Sequence, residues 1–223
     1  EMAAVANACG LAVPENGLAF PPCGADDLAH VLRPRDVGGV LEAEGMTEVI
    51  SSLERDGRPV ARDLRWGVYV VLKAPSAYAA ACFRQYGLAT DSTGYYAGMY
   101  RPYHLIGLEL GISVYSAALR GEATGAPTGF RGDVAAVAKR PLAAGETLDG
   151  EGGYTVWGKL MPAERSVAAG ALPIGLAKGV RLKRAVAEDE TVRLADVELP
   201  ADSPAFRLRQ AMVDGNGLGR SAA

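Results

Sequence analysis

The segment Tyr95-Tyr96-Ala97-Gly98-Met99-Tyr100-Arg101-Pro102-Tyr103-His104 is the densest polar and aromatic stretch of the chain. Beyond it, Leu105, Leu108, Ile112, Tyr115 and Leu119 recur at steps of three and four, which predicts a long helix opened by Pro102 and stopped by Gly121. The free N–H groups and the dipole at the start of such a helix favour an anion. Arg101 adds a guanidinium whose fork suits phosphate or carboxylate, and a pocket lined by rings such as Tyr103 and one cation is what a small polar ligand needs. A neutral imidazole at His104, in the first turn, can serve as a base or donate a hydrogen bond to a carbonyl. His104 and Tyr100 are therefore the catalytic candidates, and Arg101 and Tyr103 the substrate-binding ones. The plainer alternative is that Arg101 and His104 pair with neighbouring loops while the tyrosines pack. Glu109 lies one helical step off the apolar stripe and reads as a surface acid.

A second basic group, Lys139, Arg140, Lys159, Lys178, Lys183 and Arg184, alternates with glycine-rich turns at 150–153 and 175–179. Glycine lets backbone approach a ligand and lysine supplies a point charge, so Lys139, Lys159 and Lys178 are further substrate-binding candidates. A solvated surface on twisted hairpins is the competing reading.

Other chemistries lack positive support. No Ser-His-Asp order, phosphate-binding loop, HExxH or paired-cysteine metal pattern is present, and only His30 and His104 are available as imidazole ligands. The tail Gly215-Asn216-Gly217-Leu218-Gly219 resembles a dinucleotide fingerprint only in its glycines, because no strand precedes it and no helix follows. A net charge of −3 offers no basic footprint for nucleic acid or an anionic membrane, which leaves a small-molecule substrate, with a homo-oligomer allowed. No apolar run reaches the roughly 18 residues of a membrane helix, and Cys9, Cys23 and Cys82 are scattered, so a cytoplasmic protein with reduced thiols is expected. A first residue of Glu rather than Met reads as a piece of a longer chain.

These residues need elements to position them. The pattern predicts a helix ending at Gly10, a short helix from about residue 25, a buried strand over 67–72, a helix over 76–86 and the long helix laid across the sheet, its stripe inward. After 133 the texture turns to short β runs. There, residues 139–148 align without gaps to 183–192, a constant offset of 44 that implies two similar β-turn-β units. A last helix is expected over 204–213. The fold class is α+β: an α/β-type lobe over 1–132, a small all-β module with an internal repeat over 133–201, and a C-terminal helix with a disordered tail over 202–223.

Tyr100-Arg101-Pro102-Tyr103-His104-Leu105, Gly121-Glu122-Ala123-Thr124, Val137-Ala138-Lys139-Arg140, Leu148-Asp149-Gly150-Glu151-Gly152-Gly153-Tyr154-Thr155 and Leu172-Pro173-Ile174-Gly175-Leu176-Ala177 follow one another in this order. With them the chain resembles the homoserine-dehydrogenase-like oxidoreductases that end in a SAF domain, a group including the deoxyxylulose-phosphate-reductoisomerase-like enzymes. The resemblance covers the central and C-terminal parts, and implies a substrate lobe followed by a β-clip of the SAF type. It also implies a Rossmann half, absent from this chain, that binds NADP or NAD in the complete enzyme. The chain alone should then bind no cofactor and show no redox activity. A SAF-type carbohydrate- or partner-binding module without catalysis is the main alternative, and a lyase or cyclase on the same scaffold is a further one.

Overall fold

The computed structural model describes residues 1–200 and 202–218. Its contacts divide the chain into two compact units, Glu1–Leu18 with Pro127–Ala223, and Ala19–Ala126. The fold is α+β, with small antiparallel sheets.

In the first unit α1 (Met2–Cys9) ends at Gly10, whose φ of 71° is the left-handed conformation that glycine adopts without penalty. Its Asn7 side chain accepts from the Arg131 and Gly132 N–H groups at 2.7 and 2.9 Å and donates to the Gly132 carbonyl at 3.0 Å. Ala6 is buried against Val13 and Leu160. These bonds join the first residues to the C-terminal module, and so the boundary differs from a single break near 132.

The module is built on β4 (Gly132–Ala138) and β5 (Val156–Pro162), antiparallel with Gly132 opposite Pro162 and Ala138 opposite Val156. α5 (Ala163–Ala168), the short pair β6 (Arg181–Leu182) and β7 (Val197–Glu198), and α6 (Pro204–Gly215) complete it. Ser203 caps α6, its hydroxyl accepting from the Phe206 N–H, with Pro204 at the first position. The helix thus runs two residues past the predicted 213, and residues 219–223 of the predicted disordered tail lie outside the described residues.

The offset of 44 recurs in three dimensions. Leu142 and Val186 exchange both backbone hydrogen bonds, at 2.9 and 3.0 Å. The Gly145 N–H donates to the Leu182 carbonyl as Asp189 does to Ala138, and Leu148 donates to Val180 as Val192 does to Ala136. Each bond becomes its partner when 44 is added to one residue and subtracted from the other. That is the signature of a local pseudo-twofold axis between Leu142 and Val186. Gly145 and Asp189 occupy equivalent turns at φ 82° and 61°. The core on this axis is made of Ala, Val and Leu, including Leu148, Leu172, Leu182, Val186 and Val192 at 2% exposure or less.

The second unit holds α2 (Leu28–Val31), β1 (Val68–Lys73), α3 (Ala77–Gln85), β2 (Ala89–Thr90), β3 (Tyr96–Arg101) and α4 (Ile106–Tyr115). The sheet order is β1-β3-β2, antiparallel throughout. Ser76 caps α3 by accepting from the Ala79 N–H. Leu28 and Leu32 pack on Tyr69 and Val71. At Gly98 any Cβ would stand 2.8 Å from the Leu28 Cβ, so glycine there lets α2 lie close on the sheet. Residues 38–57, unassigned by pattern, form no helix or strand and are held by bridges such as Pro22 to Ser51 and Leu53 to Pro59.

Two expectations are corrected in this unit. β1 is not buried on both faces, since Val68 and Val70 are each 47% exposed and only Tyr69 and Val71 turn to the core. The long helix starts at Ile106, four residues after Pro102, and its stripe does not face inward. Leu105, Leu108, Ile112, Tyr115 and Leu119 are 46–82% exposed. The physical reason is that Ile106, Leu110 and Val114 make the helix apolar round most of its circumference, so periodicity cannot choose a side. Its few polar groups bond to the flanking segments instead, Glu109 to His104 and the Ser113 hydroxyl, at 2.8 Å, to the Thr124 hydroxyl.

Candidate functional site

The chain leaves β3 at Arg101, crosses Pro102 to His104 without regular structure and enters α4 through Leu105, which has no side-chain cap. Glu109, in the first turn, supplies what the cap lacks. Its Oε2 accepts from the Leu105 N–H at 3.3 Å and lies 2.8 Å from His104 Nδ1, while Oε1 lies 2.6 Å from Arg101 Nη2. One carboxylate therefore bridges the guanidinium and the imidazole. The hydrogen bond from His104, together with Arg101 and the Leu105 N–H, holds the Glu109 carboxyl below its usual range. Against a carboxylate, Nδ1 of His104 carries the proton and donates, which leaves Nε2 to act on a ligand.

The Arg101 guanidinium also lies over the Tyr103 ring, 4.7 Å from its centre, so its plane is held from two sides. The side chains of Arg101 and His104 are 51% and 52% exposed, whereas that of Glu109 is 20% exposed. The carboxylate is thus sheltered while the guanidinium and the imidazole reach solvent. The start of α4 is already occupied by the chain's own carboxylate rather than open to an anion. The guanidinium donors of Arg101 that Glu109 leaves free have the fork geometry suited to a phosphate or carboxylate.

Tyr100 does not join this group. Successive side chains of a strand point to opposite faces, and Tyr100 turns toward a cavity of about 250 Å³ lined by Ala25, Arg62, Asp63, Leu64, Arg65, Trp66 and Pro102. Its hydroxyl accepts from Arg62 Nη2 at 3.2 Å. Arg62 pairs in turn with Asp26, and Arg65 with Asp63, so the cations of this cavity already hold carboxylates.

The three candidate lysines lie in the other unit. Lys139 Nζ donates to the Gly153 carbonyl at 2.5 Å, and the Lys178 Cβ packs on Gly150, so these two flank one glycine turn. The turn is set by Asp149, whose carboxylate accepts from the Thr155 hydroxyl and from the Tyr154 and Thr155 N–H groups, and is held down at about 2 by those bonds, the hydroxyl first. Lys159 is apart from them, on β5 opposite Ala135, with its stem over Gly17. Arg140 and Arg184 each bind the glutamate six residues on, Glu146 and Glu190. They serve the repeat.

Glu109 is the residue that sequence reasoning set aside. An acid in the first turn of a helix, a few residues after an Arg and a His, is a usable signal, because such an acid is favoured at the helix start and a bridging carboxylate is within reach of both. No group of three or more His, Cys, Asp or Glu that could hold a metal occurs among the described residues.

Residues 1–110 match the family model described as Oxidoreductase DRL, catalytic domain. The match supports an oxidoreductase function. Arg101, His104 and Glu109 all fall inside the matched segment. No curated protein matches the chain. Among the described residues no helix is long and apolar enough to cross a membrane.

The residues present do not fit a nicotinamide dinucleotide. That cofactor needs a parallel strand, a glycine loop and a helix whose free N–H groups meet the pyrophosphate. Every named strand pair here runs antiparallel, and Gly215 and Gly217 end α6 rather than open a helix.

Proposed function

We propose that the chain is the substrate side of an NAD(P)-dependent oxidoreductase acting on a small phosphorylated or carboxylated polyol or sugar-like molecule, the dinucleotide being held outside this chain. The observation that supports it most is the Glu109 carboxylate bridging Arg101 and His104 inside the segment similar to an oxidoreductase catalytic domain. In this reading Arg101 binds the anionic group of the substrate through the donors that Glu109 leaves free. His104 exchanges a proton through Nε2 with the substrate oxygen that gains or loses it, while Glu109 keeps the ring oriented and Nδ1 protonated. Tyr103 keeps the guanidinium plane in place.

The test is kinetic. In the complete enzyme Arg101→Ala raises KM about tenfold, equivalent to about 1.4 kcal/mol, with cofactor affinity unchanged. His104→Ala lowers kcat more than it changes KM. Glu109→Gln lowers kcat by about tenfold or more, because it removes the carboxylate that orients the ring and stabilises its protonated form. A folded Arg101→Ala enzyme with the wild-type KM would refute the reading. Calorimetry of this chain alone with NADPH should give no binding heat, and a micromolar dissociation constant would place the dinucleotide site here after all.

A further inference from the structure

The cavity at Tyr100 lies wholly inside the second unit and is separate from the group around Arg101, because Tyr100 and Arg101 are successive residues of β3 and point to opposite faces. Trp66 forms one wall and is 75% exposed, and Tyr100, 43% exposed, forms another. Two guanidinium–carboxylate pairs stand around these rings, Arg62 with Asp26 at 2.8 Å and Arg65 with Asp63 at 3.2 Å.

The backbone at Arg62 is strained. Its φ of 51° is a conformation that a residue carrying a Cβ seldom takes, and its carbonyl is pinned by the Ala25 N–H at 2.9 Å. Such residues persist where the surroundings enforce them, and they gather at binding sites. Arg62 Nη2 donates to the Tyr100 hydroxyl at 3.2 Å, which engages the oxygen and leaves the hydroxyl hydrogen to point elsewhere. Both ion pairs are open to solvent on their arginine side, and exposed pairs of this kind are weak, so they can open to take a ligand.

These walls select by charge and by shape. Two guanidinium groups and two carboxylates sum to zero, so an anion entering meets two carboxylates and a cation meets two guanidinium groups. A wholly apolar molecule strips water from four charges and returns no hydrogen bond. A neutral ligand whose polar atoms both donate and accept, and which has an apolar face for an indole, avoids all three costs. The hydroxyl groups of a sugar ring meet the first requirement and its ring C–H groups, laid on the negative face of an indole, meet the second. The volume of about 250 Å³ falls below the roughly 300–1,000 Å³ of sites for drug-sized ligands, which limits the occupant to about one ring. We propose that this cavity binds a neutral sugar ring, separately from the Arg101 group and whatever that group's role. Trp66 stacks on the C–H face of the ring, Asp63 and Arg65 take adjacent hydroxyls, and Tyr100 donates to a further one.

Saturation-transfer NMR of the whole chain with D-glucose, D-galactose and D-xylose tests this. At least one of the three should bind with a dissociation constant of roughly 1–10 mM, as suits a ligand of so few atoms, and its ring C–H protons should receive the most saturation. Trp66→Ala should weaken that binding about tenfold or more. Trp66→Phe, which keeps a ring, should retain most of it, and Tyr100→Phe, which keeps the ring and drops the hydroxyl, should weaken it about fivefold. Inorganic phosphate at about 10 mM, the kind of anion that the Arg101 fork suits, should not displace the sugar. Circular dichroism and the thermal midpoint check that each variant is folded, and the open position of Trp66 lets both variants at that site keep the wild-type values. The proposal is overturned if none of the three sugars binds at about 50 mM, severalfold above the expected constant. It is equally overturned if a folded Trp66→Ala chain binds the sugar as well as the wild type, if phosphate displaces the sugar, or if adenosine binds at Trp66 more tightly than all three.

Discussion

Asp133 is the polar centre of the first unit, and its removal has a size that the structure sets. Its carboxylate accepts from Arg209 Nη1 and Nη2 at 3.0 and 2.5 Å and from the Ser166 hydroxyl at 2.6 Å. The side chains of Asp133 and Arg209 are only 8% and 11% exposed, and the guanidinium lies 4.7 Å over the Phe130 ring. Asp133→Ala strands a guanidinium and a hydroxyl in a place that water barely reaches. Breaking a buried pair from one side costs about 3–5 kcal/mol. With a slope of roughly 2 kcal/mol per molar urea, the unfolding midpoint should fall by about 1.5–2.5 M. The chain has two tryptophans, Trp66 in one unit and Trp157 on β5 in the other, so a Trp66→Phe background leaves a fluorophore that reports on the unit holding Asp133. The double variant Asp133→Ala, Arg209→Met should lose less than Asp133→Ala alone, since it buries no unpaired charge. A single-variant loss under about 1 kcal/mol, or strict additivity of the two changes, would show that the pair is open to solvent and the reasoning mistaken.

Three further outcomes follow from the same structure. Asp149, held down at about 2 against an ordinary 3.8, stabilises its turn above pH 3.8, and that contribution should vanish as pH falls through about 2; carbon NMR titration of Asp149 checks the value, and an ordinary titration midpoint contradicts it. Burial, aided by Asp27, pushes the Cys23 thiol up to about 12, so at pH 8 it should react with a thiol reagent about 100-fold or more slowly than the exposed Cys9, and equal rates would contradict its burial. Arg184→Ala should lower the melting temperature more than Arg140→Ala, because Arg184 also binds Asp196 at 2.6 Å while the position 44 earlier is Gly152; equal losses would show that Asp196 adds nothing.

Where local chemistry decides conformation, the sequence was sufficient. Gly10 stops the first helix by taking a left-handed conformation and Ser76 caps α3, because each signal acts within a few residues of itself. The offset of 44 was legible too. Equal sequences make equal turns, and the reciprocal bonds of Leu142 and Val186 follow once two such turns meet. Only the tertiary structure decided which side of an element is covered. α4 is apolar almost all round, so no period selects a covered side, and its polar side chains Glu109 and Ser113 bond only to the segments that flank the helix. Long-range pairing is what hid the membership of α1, whose Asn7 finds its partners 124 and 125 residues away. Propensity and capping are local free energies that can be read in order along the chain, whereas burial and pairing depend on which distant surfaces meet when it folds.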